Sequence, residues 1–115
     1  MTTTTDFKIL VAEPEDTSLY QMGWVLRNQG YTTHLTTSGS TALEIIRNEI
    51  VHLAIFDALL PDLTGLEFWR LCRRLSDKLP AIMLSERMSK ELRMKALDTG
   101  VSTVISKPVS SDVLI

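Results

Sequence analysis

The sequence predicts an α/β fold: a doubly wound, five-stranded parallel sheet with helices on both faces. Three observations carry this prediction. Five short apolar runs recur along the chain and alternate with segments of helical periodicity. The links between them are short, and strands that alternate with helices in this way form a parallel sheet covered by crossovers. Finally, Leu53-Ala54-Ile55-Phe56 runs straight into Asp57, and Pro61-Asp62 and Gly65 follow as turn formers. A buried parallel strand reads like this when it delivers one carboxylate to a sheet edge.

In chain order, Phe7 to Ala12 is the first strand and ends in the acidic cluster Glu13-Pro14-Glu15-Asp16. Asp16 or Thr17 then caps a helix whose apolar positions Leu19, Met22, Val25 and Leu26 share one face, with Gly30 as its stop and Trp24 off the stripe. Tyr31 to Thr36 has the β-branched, alternating character of a second strand. Ser38-Gly39-Ser40 opens a helix carrying Ala42, Leu43, Ile45 and Ile46, and the Asp57 stretch is the third strand. Thr64 or Gly65 starts a third helix that packs through Leu66, Trp69, Leu71, Cys72 and Leu75, leaving Glu67, Arg70, Arg73 and Arg74 solvated. Pro80 to Ser85 is a fourth buried strand ending in a hydroxyl. A helix from about Ser89 to Thr99 follows, with Met88, Leu92 and Ala96 four apart and Gly100 as its stop. Val101 to Ser106 is the fifth strand and ends at Lys107-Pro108, and Ser110-Ser111-Asp112 caps a fifth helix of which only about one turn remains. The last helix is thus truncated. The expectation is an N-terminal piece of a longer protein whose uncovered sheet face either reduces stability or is compensated by self-association.

A chain of 115 residues with 44% apolar content makes one domain able to bury a core without disulfides or metals. Its formal charge of -2 gives no electrostatic reason for direct nucleic-acid or anionic-membrane binding. The single Cys72 excludes an internal disulfide, fits a reducing compartment and reads as a small buried apolar residue. Neither a signal peptide nor a run of membrane-spanning length is present, so the expected location is the cytoplasm. His34 and His52 lack metal-ligand spacing and read as strand-flanking surface residues, and Asp62 reads as turn chemistry with Pro61.

The strand ends carry the chemistry. Strand one delivers Glu13 with Glu15 and Asp16 nearby, strand three Asp57, strand four Ser85 and strand five Lys107, and a doubly wound sheet brings such ends to one edge. A carboxylate that accepts a phosphoryl group meets an incoming anion, and two like charges about 4 Å apart repel by roughly 4 kcal/mol at an effective dielectric of 20. A hard divalent cation held by carboxylates offsets this, as does a lysine ammonium, while a serine hydroxyl can hydrogen-bond the transferred group. Asp57 as nucleophile, Lys107 as phosphate contact and Ser85 as readout form a coherent phosphoryl-transfer set. No glycine-rich nucleotide motif follows any strand.

The pieces KILVAEPED from Lys8, LAIFDALLPDLTGLEF from Leu53, PAIMLSE from Pro80, KALDTGV from Lys95 and ISKPVSSDVL from Ile105 resemble the receiver domain of two-component response regulators over the whole chain. The resemblance implies the flavodoxin-like strand order 2-1-3-4-5, Asp57 as phosphoacceptor, Ser85 as the switch hydroxyl and Lys107 as the invariant lysine before a cis Lys107-Pro108 bond. It also implies Mg²⁺ held by Asp57, Glu13 and the Leu59 carbonyl, with Glu15 or Asp16 as a further ligand. Its implied partners are a histidine kinase or histidine phosphotransfer protein as donor, and an output domain or a second copy engaged through helix 4, strand 5 and helix 5. By the same analogy Leu59 and Arg87 flank the site and bear on the phosphoryl lifetime. Such a domain at most catalyses its own phosphorylation and dephosphorylation.

Three positions depart from the family pattern. Pro14 stands where the second acid of the usual pair ligates metal, which implies weakened Mg²⁺ affinity. Glu86 replaces a small residue after the switch hydroxyl, and Val104 replaces the aromatic residue that swings inward on activation. These departures carry an alternative reading, a degenerate receiver that acts as a phosphorylation-independent dimerisation or docking module.

Overall fold

The computed structural model describes residues 7–108. In chain order they form β1 (Lys8–Ala12), α1 (Asp16–Asn28), β2 (Thr32–Thr36), α2 (Gly39–Asn48), β3 (Leu53–Asp57), α3 (Gly65–Leu75), β4 (Ala81–Ser85), α4 (Lys90–Asp98) and β5 (Thr103–Ser106). The strands pair in parallel as one sheet in the order β2-β1-β3-β4-β5, as expected. The fifth helix expected from Ser110-Ser111-Asp112 lies outside the described residues.

Alternation along the strands divides the core into two layers. Ile9, Val11, Ile55 and Leu84 pack on one face against Leu19, Met22 and Leu26 of α1. Leu10, Ala12, Ala54, Phe56, Ala81 and Met83 point to the other face, where Ala42, Phe68, Trp69, Cys72 and Ala96 from α2, α3 and α4 meet them. Because each central strand is covered on both faces, its sequence reads as a continuous apolar run. Among the described residues no helix is long and apolar enough to cross a membrane.

Helix starts follow local chemistry. The Ser38 and Ser89 hydroxyls accept from Thr41 N at 3.2 Å and Leu92 N at 3.0 Å. Thr64 and Glu67 form a reciprocal capping box that opens α3. At α1 the cap position falls to Glu15, so Asp16 is the first helical residue and neither it nor Thr17 is the cap.

Two sequence-based expectations are corrected. The buried face of α3 is Gly65, Phe68, Trp69 and Cys72, while Leu71 and Leu75 are 37% and 41% exposed. Phe68 fills the core because α3 lies with that edge over Phe56, their ring centroids 5.1 Å apart. Arg73 is exposed, as expected, and it also packs on two neighbours. Its guanidinium sits 5.9 Å from the Trp69 ring centroid, and a Cβ at Gly100, whose φ is +97°, would collide with its side chain. Trp69 Nε1 donates to Thr99 O at 3.0 Å, which fixes the end of α4 over α3. Lastly, His34 lies within β2 opposite Leu10 and is half-buried, its Nε2 enclosed, so it is not a strand-flanking surface residue. His52 does flank a strand; its Nδ1 accepts from Lys8 N and its ring stacks on Phe7. Cys72 is fully buried, and burial pushes its thiol up to about 12, consistent with an inert packing residue.

Candidate functional site

Register fixes which strand ends meet. Ala12 pairs with Phe56, Asp57 with Leu84, and Ser85 with Ser106, so the residues at or just beyond the ends of β1, β3, β4 and β5 share one edge. The residues there surround a cavity of about 530 Å³, whose lining includes Glu13, Glu15, Asp57, Ser85, Arg87 and Lys107. Asp16 is absent from the lining; it faces out from the first turn of α1.

The backbone around Asp57 is closely held. Leu59 N donates to Asp57 Oδ1 at 2.8 Å, Ala58 N donates to Leu84 O at 2.7 Å, and Gly65 N donates to Ala58 O at 2.7 Å. A Cβ at position 65 would stand 2.7 Å from the Asp57 carbonyl oxygen and 2.8 Å from Ala58 Cα, so this close approach requires glycine. Lys107 N donates to Ser85 O at 2.9 Å, which carries the chain after β5 to the cavity. The Lys107-Pro108 bond is cis.

Lys107 unites the two buried acids. Its Nζ donates to Asp57 Oδ2 at 2.7 Å and lies 2.6 Å from Glu13 Oε1, a contact that is an ion pair without hydrogen-bond alignment. Burial opposes the ammonium charge, and the close carboxylates of Asp57 and Glu13 outweigh it, so the Lys107 pKa is raised. Glu13 is fully buried, and its Oε2 accepts from Glu15 N at 3.0 Å. Ser85 is 5% exposed, with its Oγ accepting from Arg87 N at 3.2 Å, and Glu86 stands exposed at the cavity rim. Leu59 is 70% exposed beside the opening. Val104 is buried, and its carbonyl accepts from Arg93 Nη1 at 3.3 Å.

The donor set admits a divalent cation through two carboxylates. Glu13 and Asp57 present oxygens to one point, now taken by the Lys107 ammonium, and Mg²⁺ is often bound by one or two carboxylates with phosphate and water completing its shell. Pro14 adds no oxygen from its side chain, and the Glu15 carboxylate is engaged by the Ser18 hydroxyl at 2.7 Å. Among the described residues no group of three or more acidic, His or Cys side chains is arranged to hold a metal. The lining carries Glu13, Glu15, Asp57 and Glu86 against Arg87 and Lys107, four carboxylates to two cations. A cation of charge +2 would balance that excess.

One polar contact near the site has no counterpart in the sequence reading. Asp62 is more than a turn residue: its Oδ1 accepts from Gly39 N at 2.8 Å and its Oδ2 from Ser40 N at 2.9 Å, capping α2 from another loop. These two backbone bonds lower its pKa. The helix N-terminus at Ser38-Gly39-Ser40 was visible in the sequence, but the partner twenty-three residues beyond Gly39 is set by tertiary structure.

Comparison with known proteins bears on the whole arrangement. The family model for the response regulator receiver domain matches residues 9–115. The chain belongs to that family. This receiver domain is 31% identical to the alkaline phosphatase synthesis transcriptional regulatory protein SphR of Synechococcus elongatus, covering 94% of this chain and 46% of that protein. It is 32% identical to the response regulator MprA of Mycobacterium ulcerans, covering 94% of this chain and 47% of that one. The chain therefore spans about half the length of these relatives. A CheY-like receiver domain protein from Methanospirillum hungatei superimposes with a TM-score of 0.90 at 29% identity, over 94% of this chain and 86% of the other. The receiver domain of Francisella response regulator 1452 gives 0.87 at 27% identity, over 94% and 89%. The receiver domain described here is thus a signalling module of a two-component response regulator, with Pro14 and Glu86 at the cavity and Val104 buried within β5.

Proposed function

We propose that Asp57 accepts a phosphoryl group from a histidine kinase or a histidine phosphotransfer protein in the cytoplasm, with Mg²⁺ held by Asp57, Glu13 and the Leu59 carbonyl. The observation that carries this reading is the convergence of a buried carboxylate, a buried hydroxyl and a paired ammonium on one cavity. An Asp57 carboxylate oxygen attacks phosphorus, the new O–P bond forms, and the P–N bond to the donor histidine breaks. Lys107 remains protonated and offsets the charge that accumulates on the phosphoryl oxygens, while the Ser85 hydroxyl turns from its backbone contact to donate to one of them. When bound, Mg²⁺ supplies two further positive charges against the acidic lining.

Glu15 lines the cavity and serves as the further ligand once its Ser18 bond is released; Asp16 takes no part. Because the cation competes with Lys107 for Glu13 and Asp57, its affinity is low. The response passes to an output domain, or to a second copy of this chain, through the surface of α4, β5 and the segment after it. The alternative of a phosphate-independent docking module is not favoured, since Asp57, Ser85 and Lys107 still line one cavity.

Intact-mass measurement after incubation with acetyl phosphate tests this. The expected result is one added phosphoryl group with millimolar Mg²⁺, little without it, and none in Asp57→Asn. Equal uptake by Asp57→Asn would refute the assignment.

A further inference from the structure

Hydrogen bonds, the β3–α3 loop backbone and one ion pair around the cavity form a closed circuit that reaches helix α2. Asp57 Oδ1 holds Leu59 N, and the β3–α3 loop is stiffened by the Leu59–Thr64 bridge and by Leu60 N donating to Leu63 O at 3.0 Å. From the tip of that loop, Asp62 takes the Gly39 and Ser40 amides at 2.8 and 2.9 Å. The circuit returns through Ser38 N, which donates to Thr36 Oγ1 at 3.2 Å, and Thr36 O, which accepts from Glu13 N at 3.1 Å. Glu13 then meets Lys107, and Lys107 meets Asp57 Oδ2.

Packing along this path leaves no slack. A Cβ at Gly39 would stand 2.8 Å from Leu63 Cδ1 and 3.2 Å from Asp62 Oδ1, so the loop and the helix start already touch. Both oxygens of Asp57 are engaged, one by Leu59 N and one by Lys107. Phosphorylation of either oxygen therefore reworks one arm of the circuit. One arm runs through the loop to Asp62, the other through Glu13 to Thr36, and both end at the first turn of α2. Close-packed elements joined in this way shift between discrete arrangements rather than deform continuously.

We propose that α2 is a second responsive element of this domain, coupled to Asp57 through the Asp62 strap on its N-terminus. This rests on the phosphoacceptor reading above. Val104 leaves the α4–β5 side without an aromatic side chain to swing, whereas the link to α2 is intact. Coupling is reciprocal, so what Asp57 does to the strap, the strap does to ligand affinity at Asp57 by the same factor.

The test uses beryllofluoride with Mg²⁺ as a phosphoryl mimic and reads amide hydrogen exchange by NMR. The Leu59 amide shift reports occupancy at Asp57, and exchange at Gly39 and Ser40 reports the strap. In the wild type, occupancy is expected to change Gly39 and Ser40 exchange by about fivefold or more. Asp62→Ala is expected to abolish that response and to change beryllofluoride affinity by a similar factor, while Leu59 still shifts. Ser38→Ala, which removes a cap but not the strap, is expected to retain the response. Asp62→Asn, which keeps one carbonyl acceptor, gives a partial response and serves if the alanine variant does not fold. A Leu59 shift with unchanged exchange at Gly39 and Ser40 in the wild type overturns the coupling alone. So does a full response in Asp62→Ala. No Leu59 shift in the wild type overturns the phosphoacceptor reading and the coupling with it.

Discussion

Lys107 faces two carboxylates while remaining only partly open to water. Removing its charge leaves Asp57 and Glu13 as neighbouring buried acids without a counter-ion, and breaking one side of such a group costs about 3 kcal/mol. Lys107→Met is therefore expected to lower stability by about that amount in urea denaturation at neutral pH. The sign of the pH dependence follows from its raised pKa. Stability from the charged lysine is fully present below the ordinary lysine pKa and is lost as the pH rises through the higher folded value. A wild-type stability profile should show this alkaline loss, and the Lys107→Met profile should lack it. At this scale the sequence revealed residue types at strand ends, so Asp57, Ser85 and Lys107 were legible. The pairing of Lys107 with Glu13, the enclosure of His34 Nε2 and the reach of Asp62 to Gly39 were not, because each depends on how distant segments pack.

Helix α3 illustrates what is legible in an element. Its start could be read from Thr64, with the turn formers before it, and the capping box with Glu67 meets that expectation. Thr64→Ala should cost about 1 kcal/mol in chemical denaturation, since the Glu67 amide loses its Thr64 Oγ1 acceptor while the Thr64 amide keeps Glu67 Oε1. Its buried face was only partly legible. Apart from Leu66, the residues Phe68, Trp69, Leu71, Cys72 and Leu75 share one broad side of the helix, so periodicity marks that side but not which edge of it meets the sheet. The position of Phe56 decides it, with Phe68 tilted against its ring and Trp69 stacked on it at 5.9 Å. Phe68→Ala should cost about 3–5 kcal/mol and Leu71→Ala less than about 1 kcal/mol in the same measurement. Comparable losses would mean that the helix is rotated. The strands were easier to read, because burial on both faces leaves a continuous apolar run bounded by turn residues.

For the molecule as a whole, the parallel sheet gathers four strand ends at one edge, while two core layers hold those strands in register. The arrangement explains how a carboxylate, an ammonium and a hydroxyl far apart in sequence come to share one cavity. It also explains why the sequence foretold the site more fully than its wiring: strand order follows from the pattern of elements, whereas contacts between loops follow from packing. The most direct test of Asp57 as phosphoacceptor is chemical trapping. After incubation with acetyl phosphate and Mg²⁺, borohydride reduces an acyl phosphate to an alcohol, and peptide mass mapping locates the reduced residue. Reduction of the Asp57 side chain alone is the predicted result. An unreduced Asp57, or reduction at another carboxylate, would contradict the assignment.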